Sequence, residues 1–319
     1  MKVRSAFLEG PRNLSLVDRE IELEDDEVLV ETYQASICGT DKMYFQGELP
    51  PTKKYPLYLG HEGGGVVREV GKRVHEFKEG ERVASFSHCN TFSDFFKAKT
   101  IGLQKIPDDL DFSVGCLAEP LTCAVFSAYH SGVTLGDRVA IFGMGFAGQI
   151  ILQYIKKIGA TTIFAIDIAD PKLSIAKKLG ADVITNPLKE DPVKKILDVT
   201  ENRGVDVAVE AAGEEKAMNQ ATQSLKHNGI LVLYSHIVKP ITLNISRWHD
   251  DSIDIRSTGL VHHTFQERQV WAEGMFKPLK QNLLDIDSLI TKEYKLENIS
   301  DAFEEISHKD DIIKAIILP

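Results

Sequence analysis

The chain has 319 residues, 43% of them hydrophobic and 26% charged, with a formal net charge of −10. At ~100–200 residues per domain this length calls for two domains, and an acidic chain with no run of Lys and Arg lacks the electrostatic footprint of a nucleic-acid binder. No apolar stretch reaches the ~18–20 residues of a membrane span, and Met1–Gly10 alternates like a strand rather than forming the apolar core of a signal peptide. Cys38, Cys89, Cys116 and Cys123 are too few and too irregularly spaced for a disulfide framework. A cytoplasmic protein with a small-molecule partner is expected.

Strand patterns dominate the first ~115 residues. Glu27–Ile37, Gly65–Val70 and Glu81–Phe86 are short and β-rich, with turn residues such as Asp25–Asp26 and Lys78–Gly80 between them. This pattern suits a compact, irregular β-barrel. From about Val114 strands alternate with helices. Arg138–Phe142 reads as a buried strand, Ala147–Ile158 as an amphipathic helix closed by Gly159, and Thr162–Asp167 as the next strand. Asp170-Pro171 and Asp191-Pro192 read as helix starts with an acidic N-cap. Ala181–Thr185, Val205–Glu210, a helix ending at Gly229, and the strand Ile230–Tyr234 complete the series. Repeated β-α units of this size require a doubly wound parallel sheet, so the fold class is α/β. Ser300–His308 reads as a helix and Ile312–Leu318 as a last strand, a tail expected to return to the first domain.

GMGFAG at Gly143–Gly148 stands between a strand and a helix, the context a dinucleotide fingerprint needs. Gly143 permits the tight turn, Gly145 lets backbone approach a pyrophosphate, and Gly148 lets helix and strand pack closely. Phe146 and Ala147 open the helix whose N–H groups face the phosphates. Asp167 at the next strand end suits the adenosine ribose hydroxyls and would repel a 2′-phosphate, which favours NAD over NADP. Lys172, one helical turn on, is placed to cover the same ribose.

Two earlier words, ICGTD at Ile37–Asp41 and LGHEGGG at Leu59–Gly65, offer a thiol, an imidazole and carboxylates. Cys38 and His61 are too far apart in sequence for a finger built on close ligand pairs. With a carboxylate they fit a catalytic zinc, which keeps three protein ligands and one open position.

ICGTD, GHEGGG with the following VxxVG, GERV, LAEPL at Leu117–Leu121 and GMGFAG together resemble the zinc-dependent alcohol and polyol dehydrogenases of the medium-chain dehydrogenase/reductase superfamily. The resemblance spans nearly the whole chain. It implies a GroES-like catalytic β-barrel from residues 1–120 and 261–319, and a Rossmann NAD-binding domain from 121–260. It implies Cys38 and His61 as zinc ligands, with Glu62 or Glu119 as the third, and Asp41 behind His61. It implies Thr40 as the group that takes the substrate proton, and a homodimer or homotetramer built through an edge strand, either Ile230–Tyr234 or Ile253–Arg256.

Three positions depart from the family pattern. The structural-zinc lobe of four close cysteines is missing, with only a short bridge holding Cys89 between Val83 and Phe95, so one catalytic zinc per chain is expected. Met43 replaces a relay histidine. Gly39 replaces a phosphate-side basic residue, a charge that Lys314 is a candidate to supply. LAEPL is closer to polyol, sugar and cyclitol dehydrogenases than to ethanol-type ones, and Met43, Tyr44, Phe92, His262 and His263 are candidates to line the outer pocket. The expected reaction is hydride transfer between NAD and a secondary alcohol. The alternatives are a zinc-free quinone or enoyl reductase of the same fold, and a nucleotide-binding protein without activity.

Overall fold

Residues 1–260 and 265–319 are described by the structure, a computed structural model. In chain order the first elements are β1 (Lys2–Gly10), β2 (Asn13–Glu20), β3 (Glu27–Ser36), α1 (Gly39–Gln46), β4 (Leu57–Tyr58), β5 (Glu62–Val70), β6 (Arg82–Ser85), β7 (Phe95–Lys99), β8 (Leu103–Lys105), α2 (Phe112–Gly115) and α3 (Ala118–His130). The alternating part follows as β9 (Arg138–Phe142), α4 (Phe146–Ile158), β10 (Thr162–Ile166), α5 (Asp170–Lys178), β11 (Val183–Thr185), α6 (Pro192–Val199), β12 (Val205–Glu210), α7 (Glu215–Gln223), β13 (Leu225–Leu233) and β14 (Asp254–Ser257). The tail holds α8 (Phe265–Lys280), β15 (Ile290–Lys295), α9 (Ile299–His308) and β16 (Lys314–Leu318). Two units emerge, residues 1–122 with 263–319, and residues 123–262. No helix among the described residues is long and apolar enough to cross a membrane.

In the first unit β2-β1-β4 form one sheet and β15-β16-β3-β5-β6-β8 another, with β7 also paired to β3. Apolar side chains on the inner faces close the barrel: Val28, Val30, Val67, Val83 and Phe96 form one cluster. A second cluster joins the tail to α1, where Phe303 packs on Phe45 with ring centroids 5.3 Å apart and on Phe92 at 5.8 Å. β16 pairs antiparallel with β3, Ile316 opposite Ser36. This pairing brings Lys314 to the end of β3.

The second unit is a six-stranded, wholly parallel sheet of order β11-β10-β9-β12-β13-β14. The order reverses between β9 and β12, and that point is where such sheets hold a ligand, at the carboxyl ends of the strands. β9 is central, which is why Val139–Phe142 are all buried. α4 buries Ile150, Ile151 and Ile155 and stops at Gly159, whose φ of 109° is the left-handed C-cap.

Three expectations change. The helix after β12 ends at Gln223, and Gly229 lies inside β13, because Leu225 is buried and pairs with Val205. β13 is paired on both sides, so Ile230–Tyr234 is internal and β14 alone forms that edge. At α5 the N-cap is Ala169 and Asp170 is the first helical residue. Its carboxylate accepts from Asn186 Nδ2 at 2.8 Å and pairs with Lys189, so it does not cap. Asp191 does cap α6, accepting from the N–H groups of Val193 and Lys194 at 2.9 and 3.2 Å.

Candidate active site

Cys38 and His61 are brought together by register. β3 and β5 are antiparallel with Ser36 opposite Glu62, so the residues just beyond that pair, Cys38 on one strand exit and His61 on the other strand entry, meet at one corner. The ligand atoms of Cys38, His61 and Glu62 all lie within 4.8 Å of one another. Cys38 is also the N-cap of α1. Asp41, three residues on, accepts the Cys38 N–H at 3.1 Å and sets its other oxygen 3.5 Å from His61 Nδ1. One buried carboxylate thus orients both neighbours.

The electrostatics suit a cation. Burial pushes the Cys38 thiol above its ordinary range and the Glu62 carboxylate adds to this. Burial also opposes a charged His61, but Asp41 and Cys38 outweigh it and hold the ring well above its usual value. Asp41 stays below the ordinary carboxylate range because His61 and the Cys38 N–H outweigh its burial. With the thiol ionised and the His61 ring neutral, as metal ligation requires, Cys38, Asp41 and Glu62 carry three negative charges against one positive charge on Lys314. A divalent ion would cancel the remaining two. His61 Nδ1 is buried without a hydrogen-bond partner and faces Asp41 across a gap longer than a good hydrogen bond. A metal on the other ring nitrogen would fix the Nδ1–H tautomer this carboxylate needs. Sulfur, imidazole and carboxylate form a zinc donor set, and the residues fit that ion.

Lys314 corrects one expectation. Its side chain is buried, and Nζ donates to Glu62 Oε2 at 2.6 Å and to the Ile37 carbonyl at 3.4 Å, so its charge is spent on Glu62 and not on a phosphate. Ser36 Oγ donates to the same Glu62 oxygen. Glu119, in the first turn of α3, is not a member of the close donor cluster, though its charge acts on Lys314.

In the second unit the glycine turn has the geometry a dinucleotide needs. Gly143 has φ 100°, and a Cβ there would lie 2.6 Å from the Ala211 carbonyl carbon. A Cβ on Gly148 would lie 2.0 Å from Gly143 O, whereas one on Gly145 would meet nothing within 4 Å. Gly143 and Gly148 are therefore fixed by protein packing, and the Gly145 side of the turn is open for a ligand. Gly145 caps α4, and the first N–H groups of that helix lack intrahelical partners. Asp167 accepts the Met144 N–H at 2.7 Å and the Ala169 N–H at 2.8 Å, so it also shapes the turn. Each of its oxygens keeps a lone pair for a hydroxyl donor. Lys172 is half-buried in the first turn of α5, and its backbone carbonyl accepts from Gln149 Nε2 at 2.9 Å, which ties α5 to α4.

Comparison with known proteins agrees with this picture. Residues 24–130 match the alcohol dehydrogenase GroES-like domain and residues 147–275 the zinc-binding dehydrogenase domain. D-arabitol-phosphate dehydrogenase of Enterococcus avium is 30% identical over 98% of this chain and 96% of its own length. The chain belongs to the zinc-binding alcohol dehydrogenase family. Sorbitol dehydrogenase of Bacillus subtilis is 28% identical over 99% of this zinc-binding dehydrogenase and 97% of its own chain. The crystal structure of an Escherichia coli oxidoreductase/dehydrogenase of unknown specificity superposes with a TM-score of 0.85 at 27% identity, covering 100% and 99% of the two chains. This dehydrogenase is thus an oxidoreductase with a GroES-like and a Rossmann-like part, built for zinc and a nicotinamide cofactor.

Of the candidate pocket residues in this zinc-binding dehydrogenase, Phe92 is 1% exposed and Tyr44 is buried, both inside the cluster around Phe303. Met43 packs against the same cluster, and His262 and His263 lie outside the described residues. Thr40 is half-buried in the first turn of α1. Cys89 is buried against Ser85, and burial lifts its thiol to about 11. Sequence reasoning missed His88, whose ring centroid lies 4.9 Å from that of His61, and the roles of Ser36 and Lys314 at Glu62. No local motif marks these three; they depend on strand pairing.

Proposed function

We propose that this chain is an NAD-dependent dehydrogenase that oxidises a secondary hydroxyl of a polyol, sugar or cyclitol, with one catalytic zinc held by Cys38, His61 and a glutamate. The cluster of Cys38, His61 and Glu62 within 4.8 Å, backed by Asp41, carries this reading. Relatives named for arabitol phosphate and sorbitol support the substrate class. A carboxylate at the end of β10, Asp167, supports NAD, because it would repel a 2′-phosphate.

Zinc in such a site supplies Lewis acidity that eases loss of an alcohol proton, and a nicotinamide supplies the hydride acceptor. The residues do the rest. Cys38 and His61 hold the ion, and Asp41 fixes the ring of His61 and the backbone of Cys38. Glu62 is the nearer of the two candidate glutamates, and Lys314 and Ser36 set its position through one oxygen while the other stays available. Thr40 takes the proton from the substrate hydroxyl. Gly145 and the α4 N-terminus, from Phe146 to Gly148, receive the phosphates, and Asp167 with Lys172 receives the ribose. The acidic chain supports a small-molecule partner and a cytoplasmic setting rather than nucleic acid or membrane, and the free edge of β14 supports assembly into a homodimer or homotetramer.

A zinc-free quinone or enoyl reductase has no use for the donor cluster. The deciding experiment is a screen of NAD reduction across polyols, their phosphates, sugars, cyclitols and secondary alcohols, with elemental analysis of the purified protein. Turnover of a polyol by protein holding about one zinc per chain is the expected outcome. Full turnover in zinc-free protein rejects the proposal.

A further inference from the structure

β6 and β7 are joined by residues 86–94, the short bridge that stands where the four-cysteine lobe is missing, and this bridge meets the metal corner at Gly60. Asn90 has φ 63°, in the left-handed region that asparagine tolerates. There the Asn90 and Thr91 N–H groups both donate to Gly60 O, at 3.0 and 3.2 Å. The Thr91 side chain is wholly buried, at 0% exposure, and its Oγ1 donates to Glu62 O at 3.1 Å. The residues on either side of His61 thus have their carbonyl groups held by one dipeptide. The approach is close, since a Cβ on Gly60 would lie 2.6 Å from both Thr91 Oγ1 and Phe92 N.

The bridge itself has a firm footing. Phe92 O accepts the Ala6 N–H at 2.8 Å, and Asp94 O accepts the Thr32 N–H at 2.9 Å. The Asp94 carboxylate takes Arg4 Nε at 2.9 Å and Arg4 Nη2 at 2.7 Å, a two-pronged ion pair. His61 needs such a support. Its ring meets Asp41 only at 3.5 Å, longer than a good hydrogen bond, so that contact alone does not locate the residue. A metal ligand has to sit within ~0.2 Å of its place. Peptides left free to swing on both sides of His61 would have to be ordered when the metal binds, and affinity would fall by that entropy.

We propose that the Asn90–Thr91 dipeptide is a positioning element of the metal site: by clamping the carbonyl groups of Gly60 and Glu62 it fixes the backbone of His61, and the Thr91 hydroxyl thereby sets the affinity for zinc. The role rests on the reading of Cys38, His61 and Glu62 as a zinc site. It gives the short bridge a task in the chemistry. It also explains why a side chain with no exposed surface is polar, since a valine of the same shape would leave Glu62 O without this donor.

The test measures zinc affinity of the full-length protein by competition with a chromophoric chelator, and the visible spectrum after cobalt replaces zinc. Thr91→Val keeps the shape and removes the donor. It is expected to weaken zinc binding about tenfold, the scale usual for groups that orient a metal ligand, and to shift the cobalt bands. Thr91→Ser keeps the hydroxyl and is expected to hold zinc within about threefold of the parent. Asn90→Ala disfavours the left-handed backbone that aims both N–H groups at Gly60 O. It is expected to weaken zinc binding several-fold, and serves if the valine variant does not fold. Melting temperature separates positioning from general stability: a weaker zinc site lowers the melting point of zinc-loaded protein more than that of zinc-free protein. Unchanged zinc affinity and cobalt spectrum in the valine and alanine variants, equal losses of melting temperature with and without zinc, or a serine variant as weak as the valine one would each overturn the role. A parent protein that binds no zinc would instead reject the metal reading itself, and the role with it.

Discussion

Lys314 Nζ lies 2.6 Å from Glu62 Oε2, and the two side chains are only 4% and 2% exposed. Burial opposes the ammonium, but Glu62 and Cys38 outweigh it and hold Lys314 in its charged form. Taking away one partner leaves a charge with nowhere to go. Lys314→Met is expected to destabilise the protein by about 3–5 kcal/mol, read by urea unfolding. Glu62→Gln in that background recovers part of the loss, since the stranded carboxylate is then gone. Additive losses in the double variant would show that the pair is not coupled.

Cys38→Ser and His61→Ala are each expected to abolish zinc binding and nearly all turnover, while NADH binding persists. Both donors belong to the unit of residues 1–122 and 263–319, and the glycine turn belongs to the other. Elemental analysis paired with NADH fluorescence checks this. A zinc-free Cys38→Ser protein with normal turnover would remove the basis of the proposed mechanism.

Gly145→Ala and Gly148→Ala differ by one methyl at neighbouring positions of one motif. A methyl on Gly145 meets no protein atom within 4 Å, so thermal stability is expected to hold while NADH affinity falls about tenfold or more, because the methyl enters the ligand's space. A methyl on Gly148 collides with Gly143 O at 2.0 Å, so the melting temperature itself falls. Equal melting temperatures for the two variants would contradict this assignment.

Asp167→Gly combined with Ile168→Arg is expected to shift preference from NAD towards NADP. It removes the group that repels a 2′-phosphate and places a cation on a half-exposed side chain next to it. Total efficiency falls as well, because Asp167 also accepts the Met144 N–H. The readout is the ratio of kcat/KM values for the two cofactors, and an unchanged ratio rejects Asp167 as the ribose reader.

Acid sensitivity has a local source in the tail. Hydrogen bonds from Lys309 at 2.7 Å, Tyr294 at 2.8 Å and Lys292 at 3.0 Å pull the Glu305 carboxyl from 4.5 down to about 2. A carboxylate with a depressed folded-state pKa lends stability that is complete above its unfolded value and is lost as pH falls towards its folded one. Glu305→Gln should therefore melt below the parent at about pH 6, with the gap narrowing below about pH 4.5 and closing only at about pH 2. A gap that stays constant across this range would show that the ion cluster contributes nothing.

Local chemistry was enough to read the strands and helices of the α/β part, the glycine turn and the chemical nature of the donor set. Apolar runs such as Arg138–Phe142, the stripe on α4 and the Gly159 stop follow from side-chain period and backbone preference, which are properties of neighbouring residues. The same reasoning failed where a distant partner decided the outcome. It carried the helix after β12 on to Gly229, whereas pairing of Leu225 with Val205 ends it at Gln223. It made Asp170 a cap, whereas Asn186 and Lys189 claim its carboxylate. Only the tertiary structure set Ser36 opposite Glu62, brought Lys314 from the far end of the chain to that carboxylate, and turned the buried Thr91 to the Glu62 carbonyl. These are contacts between residues far apart in sequence or settled by sheet register, and a one-residue slip in that register would send each side chain to the opposite face.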